Sequence, residues 1–239
     1  MSKSSHVMGL GVETFAGLSD PAVNLAIWNR QLDLTLQLWL ESLLATMILS
    51  EVLCTASDDI FDATPLVSTL PDHPLRQRLS DDLTHLTQTL VGSLPRGYRD
   101  SHRLHIESSF GPVRDDQCQK FHVDWVVLRL LTTWVGPGTE WLENANVNRS
   151  HVGGSACCPR DANLGIVRRP EGIRRAIAGE VLMMKGEAWP GNTGCGLVHR
   201  SPPLKDLSTA NGLSPARIVF VSTIVANPSK RRTGGPKNS

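Results

Sequence analysis

The chain of 239 residues lacks several features that mark common protein classes. It has only five cysteines, an odd number without CxxC spacing, which argues against a disulfide framework and a zinc ribbon. Neither a Walker A nor a GxGxxG sequence is present, so nucleotide binding through such loops has no support. The formal net charge of +1 gives no general attraction for nucleic acid or anionic lipid. We therefore predict a reducing, cytoplasmic setting and no nucleic-acid partner.

Long uncharged apolar runs are also missing. The first 17 residues contain no continuous apolar segment of the kind that a secretory signal needs. The most apolar stretch, 32–53, is interrupted by Asp33, Gln37, Glu41 and Glu51, so it does not supply the roughly 20 uncharged residues that a bilayer requires. We therefore predict neither secretion nor a membrane span.

Two patterns divide the chain into three parts. Apolar residues at helical spacing predict helices over 33–53 and 74–94, with a loop between them. After Gly97 the pattern changes to short β-rich runs at 103–109, 121–135, 180–185 and 216–225, while the polar, Gly-rich stretch 144–175 is typical of a long mobile connection. We predict an α+β protein with a helical region at 1–97, a β-rich core at 98–227 and a disordered basic tail at 228–239.

The sharpest local feature is the triplet His122-Val123-Asp124. On an extended chain residues i and i+2 project from the same face, so this imidazole and this carboxylate would point into one space. That arrangement suits two ligands of one metal ion. A hydrogen bond between His122 and Asp124 at a strand end is the simpler interpretation of the triplet taken alone.

A second feature lies near the end of the β-rich part. A strand, a Gly-rich turn, His199, a Pro-Pro break and a further apolar strand with Arg217 follow one another in an order that could bring a second imidazole to the first pair. Two His and one carboxylate form the facial triad of non-haem Fe(II) oxygenases, which leaves coordination positions open. Arg217 could then hold the distal carboxylate of a 2-oxo acid in a bidentate pair.

Several motifs carry a resemblance to known families. They are Trp28-Asn29-Arg30, the block Cys118 to Asp124, the block Gly136 to Trp141, Lys185-Gly186-Glu187, and His199 to Pro203. Together they resemble the bacterial family of domain of unknown function 1826, from about Val23 to Val225. More distantly, the part from about 100 to 225 resembles the Fe(II)/2-oxoglutarate-dependent oxygenases, especially the prolyl-hydroxylase type.

The resemblance implies a double-stranded β-helix of the jelly-roll or cupin kind, with the amino-terminal helices packed against it. It implies His122, Asp124 and His199 as the catalytic metal ligands, with Fe(II) and 2-oxoglutarate as cofactors. The 18 positions from His199 to Arg217 exceed the usual spacing of that superfamily. Arg200 and Lys185 are therefore the alternative candidates for holding the 2-oxoglutarate carboxylate.

Three interpretations of function remain open from the sequence. The first is a hydroxylase-type oxygenase with an unknown substrate. The second is a noncatalytic module of the same shape that binds zinc or iron in metal homeostasis, since His and carboxylate ligands suit both ions. The third is an interaction scaffold without metal. Two other groups are expected to be ordinary residues rather than ligands: the pair His102 and His105, and the loop thiols Cys157 and Cys158.

Overall fold

The computed structural model describes residues 4–45, 51–57, 61–113, 119–153, 159–204 and 216–226. Cys118, Cys157, Cys158 and the tail 228–239 lie outside these ranges. The strands are β1 His6–Gly9, β2 Leu25–Trp28, β3 Val52–Ser57, β4 His105–Val113, β5 Val126–Val135, β6 Glu140–Leu142, β7 Ile173–Arg175, β8 Val181–Lys185, β9 Val198–Arg200 and β10 Arg217–Val225. The helices are α1 Leu34–Ala45, α2 Thr64–Val67, α3 Pro74–Gly92, α4 Tyr98–Ser101 and α5 Pro159–Ile166. Short 3-10 turns cover Val12–Ser19, Asn144–Asn146, Arg149–His151 and Pro170–Gly172.

The strands form two sheets. The larger has seven strands in the order β1-β2-β8-β5-β10-β4-β3, and all its pairings are antiparallel except that of β1 with β2. The smaller has three antiparallel strands in the order β7-β6-β9. The protein is thus a mixed α+β structure, as the change from helical spacing to β-rich runs after Gly97 predicts.

The large sheet is covered on both faces, which explains why its central strands are apolar throughout. In β8, Met183 belongs to the cluster that contacts the helices, while its neighbours Leu182 and Met184 belong to the cluster beneath the small sheet. This is the two-residue alternation of a strand. Trp141 of β6 joins the second cluster, so the small sheet packs onto the face opposite the helices.

Helix α3 is the main element of the helical layer. Its buried leucines are spaced by three or four residues as predicted, and Ser80, Thr87 and Val91 are buried beside them: Leu75, Leu79, Leu83, Leu86 and Leu90. The helix begins at Pro74, and Nδ1 of His73 accepts a hydrogen bond from the backbone N–H of Leu75, which satisfies one of the free amides at its start. α3 packs against β5 and β10, which carry the centre of the large sheet.

The amino-terminal region differs from the helical prediction. The helix expected over 33–53 ends at Ala45, and Val52–Ser57 instead forms the edge strand β3, paired with β4. β1 and β2 also lie within residues 1–97 and extend the large sheet at its other edge. Strands of four to six residues are too short to produce a readable period among neighbouring apolar residues.

The stretch 144–175, expected to be a mobile connection, contains regular elements in its described part. Three 3-10 turns, α5 and β7 lie there, and Ile166 and Val147 are buried against the outer face of the small sheet. Asn146 accounts for part of this order, because its side chain bonds the backbone N–H and C=O of Arg169. Polar composition here therefore reflects turns held by side-chain hydrogen bonds. Among the described helices, none is long and apolar enough to cross a bilayer.

Candidate metal centre

The centre lies where the two sheets meet. His199 is the middle residue of β9, and His122 pairs with it through two backbone hydrogen bonds, each with an N–O distance of 3.0 Å. Asp124 follows in the turn that leads into β5 of the large sheet. Main-chain pairing therefore positions both histidines. Asp124 is positioned by the start of β5, where the chain joins the large sheet.

The three side chains converge. Nε2 of His199 lies 3.2 Å from Oδ2 of Asp124, and Nε2 of His122 lies 3.7 Å from Oδ1. The two imidazole ring centroids are 4.6 Å apart. One ligand atom from each side chain lies within 4.8 Å of the other two, and His199 is the most buried of the three. The structure thus brings His199 beside the 122/124 pair, and that the three bind a metal stays a prediction.

The donor set fits a cation. Nδ1 of His122 lies 2.9 Å from the carbonyl oxygen of Lys120, and Nδ1 of His199 lies 3.2 Å from that of Leu197. A neutral imidazole has one N–H, and donating it to the carbonyl leaves the Nε2 lone pair facing Asp124. Two lone pairs directed at a carboxylate are unfavourable without a positive charge between them. One metal ion would satisfy all three groups, and carbonyl partners at Nδ1 are typical of metal-bound histidines.

The protonation of the site favours ligand-competent forms. Burial, reinforced by the neighbouring His199, lowers the pKa of His122 below its ordinary value and so favours the neutral imidazole. Burial alone would raise the pKa of Asp124. In the metal-free site, a proton on Nε2 of His199, in the place that a metal ion would take, donates a hydrogen bond to the carboxylate, and this bond together with the positive charge of Arg129 holds the pKa of Asp124 well below its usual range. A neutral imidazole beside an ionised carboxylate is the state that binds divalent metal.

Arg129 of β5 is the other partner of the carboxylate. Its Nη1 donates to Oδ2 of Asp124 and its Nε to Oγ1 of Thr223, on the neighbouring strand β10. A charged residue inside an apolar run is expected to pair with a buried carboxylate or to line a pocket. Arg129 pairs with the partly buried Asp124 and also lines the cavity beside the histidines. The guanidinium thereby fixes the orientation of Asp124 relative to the sheet.

A cavity of about 160 Å³ opens beside the histidines. His122, His199, Arg129 and Arg217 line it together with the apolar side chains Val113, Leu131, Val219 and Val221. At roughly 30 Å³ for each water in the liquid, its volume equals that of about five waters, enough for one small organic acid. The cavity thus combines the two histidines of the triad, three guanidinium groups including that of Arg200, and an apolar wall.

Arg217, the first residue of β10, reaches this cavity although it is almost completely buried. Its Nη1 donates to Oγ1 of Thr139 at 3.3 Å, and its Nη2 donates to Oγ of Ser201 at 3.0 Å. Gly136 allows this placement, because its φ is +82° and a Cβ there would lie 2.8 Å from the carbonyl oxygen of Ala216. Two motif residues, Thr139 and Ser201, thus orient the guanidinium.

Glu187 holds the turn that leads to His199. Its Oε1 accepts the N–H of Gly196 at 3.0 Å, and its Oε2 accepts that of Gly194. Its own N–H donates to the carbonyl oxygen of Asp124 at 2.9 Å. One buried glutamate therefore connects two ligand-bearing segments of the chain. The Lys-Gly-Glu motif alone does not reveal this role of Glu187, and the two glycines shortly before a candidate ligand are the sequence signal that points to it.

Arg200 and Lys185, the alternative candidates for holding the 2-oxoglutarate carboxylate, have other partners. Arg200 also lines the cavity, but its Nε pairs with Oε2 of Glu140 at 2.7 Å and its guanidinium lies over the ring of Phe121. Lys185 does not line this cavity; its Nζ donates to the carbonyl oxygen of Asp20, and it lines a separate cavity. The reason is strand alternation, since Lys185 shares the helix-facing side of β8 with Met183. The structure therefore separates Lys185 from the triad.

Two further motifs also lie away from the triad. Nη1 of Arg30 contacts both carboxylate oxygens of Asp82 on α3, at 2.7 and 2.8 Å, and its guanidinium lies over the ring of Trp28, so the Trp-x-Arg motif joins the large sheet to the helices. His102 stacks on Tyr98 at the end of α4, and His105 begins β4 at the sheet.

The fold and the site together define a mixed α+β protein with a His-Asp-His cluster next to a small cavity. Residues 11–210 match the family described as protein of unknown function (DUF1826), and the chain belongs to this family. None of the curated proteins matches the sequence.

Solved structures similar to this one include three from different organisms. A dioxygenase for auxin oxidation from rice has 13% sequence identity and a TM-score of 0.48, covering 95% of this chain and 84% of that chain. A full-length Neurospora crassa protein, solved in complex with alpha-KG, has 12% identity and a TM-score of 0.42, covering 94% and 86%. A Pseudomonas putida prolyl-4-hydroxylase has 10% identity and a TM-score of 0.40, covering 90% and 99%.

Proposed function

We propose that the protein is a non-haem Fe(II)/2-oxoglutarate-dependent oxygenase of the hydroxylase type, with His122, Asp124 and His199 as its metal ligands. The observation that carries this proposal is the convergence of these three side chains beside a cavity that also contains the guanidinium of Arg217. The core would be a double-stranded β-helix centred on residues 98–227, and strands from residues 1–97 would extend its large sheet. The substrate is not assigned.

The ligand set suits ferrous iron. Two imidazoles and one carboxylate would hold Fe(II) and leave coordination positions free for 2-oxoglutarate and dioxygen. When bound, the ion would supply the oxidising chemistry of this class. The chain's own contribution is to keep the ligands oriented. The carbonyl groups of Lys120 and Leu197 hold the two imidazoles, and Arg129 holds the carboxylate of Asp124.

Arg217 would bind the distal carboxylate of 2-oxoglutarate. A guanidinium offers parallel N–H donors that match a carboxylate, and Thr139 and Ser201 orient it toward the cavity that the histidines share. The apolar side chains Leu131, Val219 and Val221 line the rest of the space, so bound 2-oxoglutarate would lie against an apolar wall. Arg200 also lines the cavity but would not bind 2-oxoglutarate itself, since its charge is balanced by Glu140.

A noncatalytic zinc or iron module is the alternative that the donor set also suits. It predicts tight metal binding by the same three residues, with no binding of 2-oxoglutarate to Arg217. The presence of a buried arginine in the cavity wall favours the oxygenase, because a purely structural metal site has no need of an anion-binding group beside it.

The first test measures metal binding. Metal-free protein purified without a metal-affinity tag should bind one Fe(II) per chain under anaerobic conditions, and Asp124→Asn and His199→Ala should abolish this binding. His85→Ala is the matched control, because His85 is exposed on α3. Equal iron binding by Asp124→Asn and the unmodified protein would refute the assigned ligand set.

The second test separates the enzyme from the binding module. Zinc-loaded protein, which cannot turn over, should bind 2-oxoglutarate in calorimetry, and Arg217→Met should weaken this binding by about tenfold to a hundredfold. Arg175→Met is the control, because Arg175 pairs with Glu140 outside the cavity. Iron-loaded protein in air should then convert 2-oxoglutarate to succinate. Tight metal binding without 2-oxoglutarate binding would favour the noncatalytic module.

A further inference from the structure

A second, larger cavity lies on the helix side of the large sheet. Its volume is about 860 Å³, within the range of small-molecule sites. It is bounded by the 3-10 turn Val12–Ser19, by residues 92–96 at the carboxyl end of α3, and by residues 189–192. Most of its wall is apolar, with contributions from Val12, Phe15, Leu18, Leu94, Trp189 and Pro190.

Lys185 is the buried charge of this cavity. Only 2% of its surface is exposed, and Nζ donates a 3.0 Å hydrogen bond to the carbonyl oxygen of Asp20. Nζ also lies 5.1 Å from the ring centroid of Trp189. An ammonium group has three donors, and within the part of the chain that the structure describes Asp20 supplies its one hydrogen-bond acceptor. Two N–H donors therefore remain for a molecule that occupies the cavity.

We propose that this cavity binds a monocarboxylate with an apolar body, its carboxylate on Nζ of Lys185 and its hydrocarbon part against Phe15, Leu18 and Leu94. A single negative charge matches the single buried ammonium, whereas a phosphate or dicarboxylate would bring a second charge into an apolar wall. The other charged groups of the lining, Glu13 and Arg96, are both exposed and of opposite sign. The ammonium of Lys185 thus favours a ligand with one negative charge.

The electrostatics of Lys185 support this assignment. Burial lowers the pKa of Lys185, because an ammonium removed from water loses its hydration, and the negative charge of Asp20 opposes this shift only in part. A carboxylate bound to Nζ would replace that hydration by charge-assisted hydrogen bonds. The site is separate from the metal centre, since Lys185 lies on the opposite face of the large sheet from the triad.

The test uses eight-carbon probes that differ only in their polar end. Octanoate, octanol and octylammonium are titrated into the full-length protein, with calorimetry and the indole N–H signals of the tryptophans as readouts. We expect octanoate to bind at least tenfold more tightly than octanol, octylammonium not to bind, and the Trp189 signal to shift. Octanol binding as tightly as octanoate, or no binding of octanoate, would overturn the proposal.

Variants locate the site. Lys185→Met keeps an apolar stem and should lower octanoate affinity by tenfold or more while octanol affinity stays unchanged. Gly92→Trp leaves Lys185 intact and fills the cavity from the end of α3, where a Cβ at Gly92 meets nothing within 4 Å. It should abolish binding of both probes, and it tests the site even if Lys185→Met does not fold. Asp124→Asn should bind octanoate normally. Unchanged octanoate binding by Gly92→Trp would place the probe elsewhere and refute the assignment.

Discussion

Replacing Glu187 with Gln should destabilise the protein, because the carboxylate accepts two backbone amides at once. Oε1 and Oε2 bond the N–H groups of Gly196 and Gly194, and the side chain is almost fully buried. A glutamine of the same shape keeps one acceptor oxygen, while its NH₂ group faces the other N–H. The change therefore removes one charge-assisted hydrogen bond and leaves one buried donor unsatisfied.

The expected loss of unfolding free energy is about 2 kcal/mol for Glu187→Gln and about 4 kcal/mol for Glu187→Ala, taking 1.5–3 kcal/mol for each hydrogen bond to a charged group. Urea denaturation of the metal-free protein measures it. Glu180→Gln is a matched control, because Glu180 is similarly buried but accepts one backbone N–H, from Ile177. A glutamine can keep that bond, so we expect a loss below about 1 kcal/mol.

The same substitution should also weaken metal binding. The turn held by Glu187 leads directly to Leu197, whose carbonyl oxygen fixes the imidazole of His199. Changes in groups that orient metal ligands typically cost 10- to 100-fold in metal affinity. Glu187 acts on His199 only through the turn and Leu197, so we expect a loss of about tenfold. If Glu187→Gln and Glu187→Ala both lose less than about 0.5 kcal/mol, the carboxylate does not hold the turn.

Three further outcomes are expected. Gly136→Ala should cost more than about 1 kcal/mol in urea denaturation, because the residue has φ +82° and a Cβ would approach the strand that carries Arg217; an unchanged midpoint would contradict the proposed close approach. Arg30→Met should lose about 1–3 kcal/mol by breaking the pair with Asp82, with iron affinity unchanged because this pair lies on the helix side of the sheet; a fall in iron affinity would contradict that separation. Zn²⁺ at 100 times its dissociation constant should stabilise the protein by about 2.7 kcal/mol in thermal unfolding, EDTA should reverse the effect, and Asp124→Asn should show none; equal stabilisation of Asp124→Asn would locate the ion elsewhere.

The centre of the fold was predictable because its strands and α3 have long apolar patterns. α3 follows three- and four-residue spacing over its whole length, and β5 and β10 are nearly continuous apolar runs, as expected of strands covered on both faces. The short strands β1, β2 and β3 carry too few residues for a period, and their pairing with distant strands decides their conformation.

The site was predictable to the level of residue types. His122, Asp124, His199 and Arg217 are polar groups placed at the ends of apolar runs, where a pocket between sheets can receive them. Their supporting contacts were less accessible, because Thr139 and Ser201 reach Arg217 from separate segments. The face of the sheet to which Lys185 points was not predictable either. It depends on the bounds of β8, since an offset of one residue moves a side chain to the other face of a sheet.

The main-chain pairing of His122 with His199 has a consequence for how the protein matures. These residues come from segments far apart in the sequence, and their imidazoles become neighbours only when β9 has docked beside the earlier segment. During synthesis His122 and Asp124 therefore emerge well before His199, so two of the three proposed ligands await the third. Under the proposed function, an ion would bind tightly only after the segment that carries His199 has docked beside them.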